Sequence, residues 1–153
     1  MSASAWNPVD ARFAERVRAS FGKQSFMETL GATLETVEPG HVVIRMPWNG
    51  RLLQQHGFFH AGATTAIADS AGGYAALTLF PVGAAVLSVE YKVNLVNAAG
   101  GDALVADGRV VKHGRTLTVC DLEVHAVDGE GKTLCLKGLQ TVFCAIGKKG
   151  TVD

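Results

Sequence analysis

The 153 residues fall within the span of one domain, and a 48% hydrophobic share is enough for a continuous core. Lys plus Arg and Asp plus Glu are both 14, which excludes the positive surplus expected of a nucleic-acid binder and leaves no basic block to hold a membrane surface. A small organic ligand or a protein partner fits better, and the three cysteines, Cys120, Cys135 and Cys144, being odd in number and without CxxC spacing, are expected as reduced, half-buried strand residues.

In chain order, 8–24 places Phe13, Val17 and Phe21 four apart, with Arg12, Arg16, Arg18 and Lys23 mostly elsewhere, which predicts an amphipathic helix across the edge of the fold. No apolar run ending in a small-residue cleavage site marks this end, so the cytoplasm is the expected compartment. A short turn is expected at 26–30. The alternating stretches 32–38 and 41–46, punctuated by Pro39-Gly40, predict a hairpin. An irregular connection over 47–55 leads through Gly57 and His60 into a long helix, 61–80, stopped by Pro81 and Gly83. The apolar run 61–86 is interrupted by Asp69, which argues against a membrane span and for a buried helix.

Four apolar-alternating runs follow, at 85–97, 102–112, 116–127 and 133–146, and the turn residues between them suggest an antiparallel meander. A sheet wrapped around one apolar helix satisfies both, since neither buries its apolar face alone. No repeat, linker or second boundary breaks the chain, so one domain over 1–153 is expected, with a core at about 25–147 and a frayed polar tail at 148–153.

The chemistry concentrates at the start of the central helix. Asp69 is a carboxylate set among Ala66, Ile67, Ala68, Ala71 and Tyr74, and buried acids are rare unless paired or functional. A solvent-facing stripe is the plain reading, but the helix is apolar on nearly every face, which favours a crevice beside an oligomer interface. The helix start offers backbone N–H groups without intrahelical partners, and the small residues Ala61 and Gly62 let a carbonyl oxygen approach them. A carboxylate and an oxyanion-binding terminus are the two parts that acyl transfer needs. At about 1.5 Å rise per residue, Ala61 and Asp69 lie roughly 12 Å apart along the axis, so one carbonyl reaches both only if a second subunit supplies one of them.

His56 and His60 are read as structural residues of the helix entry, and their spacing across Gly57, without a third ligand, argues against a metal. Ser70 and Ser88 lack a GxSxG elbow, and no cysteine has an evident histidine partner, so serine or cysteine nucleophiles are not expected.

The segments His60-Ala61-Gly62, Ala66-Ile67-Ala68-Asp69-Ser70-Ala71, Ser88-Val89-Glu90-Tyr91 and the run at 110–117 resemble the phenylacetic-acid-degradation (PaaI-like) branch of hot-dog acyl-CoA thioesterases, over 40–145. The resemblance implies an α+β hot-dog fold, a six-stranded antiparallel sheet around the central helix with dimers that commonly pair into tetramers. It also implies hydrolysis of an acyl-CoA without metal or other cofactor. Carried over, Asp69 matches the catalytic carboxylate, acting as base or nucleophile; the Ala61 N–H, beside Gly62, matches the oxyanion donor; His60 matches the motif histidine. Gln54 falls where relatives usually carry an asparagine that orients water or the carbonyl, and Ala61 stands where the usual His-Gly-Gly has its first glycine. Ser88 falls near the carboxylate, and the loop at 112–116 makes Lys112 and Arg115 the phosphate candidates. Phe58, Phe59 and Thr65 are candidates to line the substrate pocket. A non-catalytic acyl-CoA sensor or carrier and an acyl-thioester dehydratase using His56 or His60 with Asp69 remain open alternatives, as does a purely structural interaction protein.

Overall fold

The computed structural model describes residues 6–147; the tail at 148–153, expected to fray, lies outside the described residues. The first helix, α1, is Phe13–Phe21, shorter than the expected 8–24. Asp10 accounts for the late start: its carboxylate accepts the Arg12 N–H at 2.9 Å and its carbonyl accepts the Phe13 N–H at 3.2 Å, so a turn precedes the helix. Gly22 caps the other end. The region expected as a turn at 26–30 is instead a short helix, α2, Ser25–Thr29, steadied by the Thr29 hydroxyl donating to Ser25 O at 3.0 Å.

The hairpin forms as expected, with β1 at Thr33–Glu38 and β2 at His41–Pro47 joined through Gly40, whose positive φ of 71° suits the turn. A 3-10 turn at Gly50–Leu52 breaks the irregular connection. The central helix α3 is Ala61–Leu77, ending three residues before the expected Phe80. Two sets of hydrogen bonds close it early. Leu79 and Phe80 tighten into bonds to Ala76 O and Leu77 O, and the Arg16 guanidinium donates to the carbonyls of Leu77, Phe80 and Pro81 at 2.7–2.8 Å, placing a cation at the negative end of the helix. Arg16 thereby pins α1 to α3. Tyr74 adds a second tie, its hydroxyl bonded to Gln24 and Ser20 and its ring 5.8 Å from that of Phe21.

The remaining strands are β3 at Ala84–Leu95, β4 at Ala103–Lys112, β5 at Leu117–Asp128 and β6 at Gly131–Ile146. All six strands make one antiparallel sheet in the order β1-β2-β4-β5-β6-β3, wrapped around α3. The expected four-strand meander is therefore corrected to three strands, β4-β5-β6, with β3 at the far edge beside β6. The chain leaves β3 over the helix entry instead of turning back on itself: Ala99 O accepts the Phe59 N–H at 2.8 Å, and the Phe58 ring packs against Gly100. The helix thus lies inside a curled sheet, and Ile67, Leu77, Leu104, Leu122 and Leu136 are wholly buried between the two layers.

Small residues set the distance between helix and sheet. A Cβ on Gly108 of β4 would overlap the Ala71 carbonyl, and one on Gly72 of α3 would overlap the Gln140 side chain. The cysteines are corrected from half-buried to buried, and burial pushes the Cys120 thiol up to about 12, which keeps it inert as a nucleophile. Among the described residues no helix is long and apolar enough to cross a membrane.

Candidate active site

His60 ends the loop in an extended conformation, φ −64° and ψ 140°, and its Nδ1 accepts the Gly62 N–H at 2.8 Å. It is the N-cap of α3, the structural role its position suggested. Gly62 is therefore committed to the cap, whereas the Ala61 N–H has no acceptor among the described residues and opens at the positive end of the helix. Neither His60 nor His56 bonds to Asp69. His56 stands exposed beside Gln55.

From Ala61 the exposed face of α3 runs through Thr65 to Asp69, steps of four that stack on one side of a helix. Those residues, with Gly62 and Ala66, form one wall of a cleft of about 660 Å³, faced by Tyr91, Val93 and Leu95 of β3 and by Gln24 and Phe26. Asp69 is half-buried there. Its Oδ1 accepts two bonds of 2.6 Å each, from the Ser88 hydroxyl and from Gln140 Nε2, while Oδ2 has no partner among the described residues. The floor beside it is a smaller space of about 110 Å³ bounded by Gly73, Tyr74, Val86 and Ser88.

An irregularity in β3 builds this arrangement. Ser88 pairs with Val142 and Glu90 with Thr141, so Val89 is an extra residue in the strand. Before the bulge Val86 and Ser88 face the helix; after it Tyr91, Val93 and Leu95 do, because their partners Gln140, Gly138 and Leu136 lie on the buried face of β6. Without the extra residue a strict two-residue alternation would turn Tyr91 and Leu95 to the outside. Bulges next to functional sites commonly re-aim side chains in this way.

A second cavity of about 310 Å³ adjoins the cleft, sharing Ala61 and Leu95, and is lined by Gln54, Phe58, Phe59, Thr64, Ala99 and Cys135 among others. The two phenylalanines separate. Phe59 is 4% exposed and belongs to the core as well as the cavity wall, whereas Phe58 is 41% exposed at its rim. The Gln54 side chain folds back to accept the His56 N–H, so in this chain it also braces its own loop. Lys112 and Arg115 are exposed at the opposite end of the sheet, near the end of α3, where the rings of His113 and Phe80 lie tilted against each other with centres 6.0 Å apart. Within one chain they border neither cavity.

Gln140 was not singled out from the sequence. Leu136, Gly138, Gln140, Val142 and Cys144 alternate onto the buried face of β6, and a lone amide among apolar and small residues at that period is the signal that could have found it.

The thioesterase superfamily pattern matches residues 56–133. A thioesterase family protein from Silicibacter pomeroyi is 44% identical with a TM-score of 0.87, over 88% of this chain and 99% of that one. The E. coli PaaI protein of the phenylacetic acid degradation operon is 20% identical with a TM-score of 0.79, over 93% of this chain and 97% of its own. A Haemophilus influenzae thioesterase is 19% identical with a TM-score of 0.76, over 86% and 90%; these last two bear on the fold alone. Sheet, enclosed helix and neighbours together define the hot-dog class. The chain belongs to the thioesterase superfamily and is a thioester hydrolase.

Proposed function

We propose that the protein hydrolyses an acyl-CoA thioester to the free acid and CoA as a homo-oligomer, with Asp69 of one subunit acting on a carbonyl held by the Ala61 N–H of another. One observation carries this reading: an unpartnered Ala61 N–H and an unpartnered Asp69 Oδ2 share a cleft wall, eight helical residues apart, beside an open sheet edge. Eight residues span roughly 12 Å, too far for one thioester carbonyl to meet both.

The edge supplies the remedy. β3 is 12 residues long, terminal in the sheet, and exposes Val89, Tyr91 and Leu95, a combination that solitary proteins usually blunt. Antiparallel self-pairing of β3 about a two-fold axis satisfies its backbone and sets the Ser88 end, which holds Asp69, against the Leu95 end of the other subunit, which borders Ala61. The same operation carries the 112–116 turn toward the other subunit's helix entry. That turn joins β6 at Cys144, beside Val86 at the start of β3, so Lys112 and Arg115 approach the CoA phosphates from the second subunit.

In the base route Asp69 Oδ2 takes a proton from water, the resulting hydroxide bonds to the carbonyl carbon, the C–S bond breaks, and the proton ends on the CoA sulfur. In the nucleophile route Oδ2 itself bonds to that carbon, the thiolate leaves, and water then opens the mixed anhydride. Either way the carbonyl oxygen gains charge, which the Ala61 N–H and the dipole of α3 stabilise. Gln54 orients the thioester from the neighbouring cavity, whose walls, Phe58 and Phe59 among them, receive the acyl group, while Thr65 stands between the two reacting ends.

The test is thiol release from aromatic, short-chain and medium-chain CoA esters by wild type and Asp69→Ala. Turnover of at least one class, abolished in the variant with ester binding kept, supports the assignment. Equal turnover by both removes Asp69 from the chemistry, and binding without turnover by either turns the reading to an acyl-CoA sensor or carrier.

A further inference from the structure

Gln140 is 1% exposed, yet its Oε1 has no hydrogen-bond partner and lies against Gly72, where a Cβ would overlap it. Buried amide oxygens are rarely left so. The other end of the amide explains the arrangement. Nε2 donates to Asp69 Oδ1 at 2.6 Å, to the Asp69 carbonyl at 3.1 Å and to Ser88 Oγ at 3.0 Å. Turning the amide over would set Oε1 against a carboxylate oxygen at that same short distance, oxygen facing oxygen. The unpartnered acceptor is thus the cost of presenting both amide protons to the Asp69–Ser88 pair.

Resting on the assignment of Asp69 above, we propose that Gln140 is a positioning residue that anchors Asp69 through Oδ1, makes Ser88 a donor, and leaves Oδ2 as the oxygen that meets water or the thioester. The hydrogen-bond directions require the second step. Ser88 Oγ receives an amide proton from Gln140, so its own proton points to Oδ1, and the hydroxyl serves the carboxylate instead of attacking substrate. Two donors on one oxygen also hold the side chain in one rotamer. Gly72 completes the device by making room for the amide on the helix surface.

Two variants test this against Asp69→Ala. Gln140→Met keeps the length and burial of the side chain but removes its protons. Gln140→Glu keeps size and polarity and replaces a donor with a second acid, so one of the pair reports if the other folds poorly. With one donor lost, kcat falls in Gln140→Met and further in Gln140→Glu while KM stays within about twofold. A purely structural role would lower stability without separating kcat from KM. An unchanged kcat in folded variants, or a loss expressed in KM alone, overturns the role of Gln140 even when Asp69→Ala is dead. Full turnover by Asp69→Ala instead removes the underlying assignment, so the two failures are told apart.

Discussion

His41 commits both ring nitrogens to carboxylates on the outer face of the sheet, Nδ1 3.4 Å from Glu38 and Nε2 3.2 Å from Asp107, while Arg109 pairs with the same Asp107 at 2.9 Å. The hydrogen bond to Asp107 raises the imidazole above its ordinary value; burial and the Arg109 charge oppose the rise without cancelling it. For Asp107, burial works against ionisation, but the bond and charge of His41 together with Arg109 outweigh it and hold the carboxyl below the usual range. The raised histidine therefore adds stability that is complete below about pH 6.5 and is lost as the pH climbs through its folded value. The depressed carboxylate adds stability that disappears only in acid, as the pH falls through the folded value of Asp107. Burial lowers His113 and His125, so their contribution runs the opposite way with pH, and a variant comparison isolates His41. Urea unfolding at pH 6 and pH 8 is expected to show a smaller loss across that interval in Asp107→Asn than in wild type; an equal or larger loss would remove the pair from the pH response. At this scale the sequence was unevenly legible. Asp69 stood out because its neighbours are apolar, and the place of Ser88 came with the family resemblance. Gln140 escaped because an amide is an ordinary strand residue until its neighbours in space are known, and its partners lie 52 and 71 positions away.

Elements were legible where their signal is local. The hairpin, the central helix and the long strands follow from alternation, periodicity, Pro81 and glycine punctuation, with ends displaced by a few residues where capping decides, as at Asp10 and Arg16. Strand order was not local. The two ends of β3 have the turn chemistry of a meander, and only the helix inside the sheet carries β3 to the far edge. Bulges at Val89 and Cys135 were hidden for the same reason, since an extra residue is visible only against its partner strand. Contact between helix and sheet rests on a backbone approach at Gly108, where any Cβ meets the Ala71 carbonyl and the Gly72 nitrogen, both parts of a hydrogen-bonded helix that cannot move singly. Gly108→Ala is expected to cost about 1–3 kcal/mol, the usual range for overpacking. Denaturant unfolding measures this directly, and an unchanged midpoint would mean that the sheet relaxes away from α3 at little cost.

For the whole molecule, the decisive question is whether one site draws on two chains, and the helix entry offers an unusually clean way to ask it. Proline is favoured at the first position of a helix, where its missing N–H breaks no intrahelical bond, and the residue before it must be extended. His60 already is, at φ −64° and ψ 140°. Ala61→Pro thus deletes the proposed oxyanion donor while leaving the fold intact, and removal of one such donor commonly lowers kcat on the order of a hundredfold. Asp69→Ala deletes the other half. In a dimer of one Ala61→Pro chain and one Asp69→Ala chain, a site assembled across β3 takes its carboxylate from the first and its N–H from the second, and is whole; the other site carries both defects. Random exchange makes half of the dimers mixed, with one working site in each, so about a quarter of wild-type activity should return when two nearly inactive variants are unfolded together and refolded. Sites built within single chains give no such recovery, because every site then carries one defect or the other. Thiol release before and after mixing, on the ester class that wild type turns over, separates the two architectures, and failure to recover with native dimers present would return Asp69 and Ala61 to a single subunit.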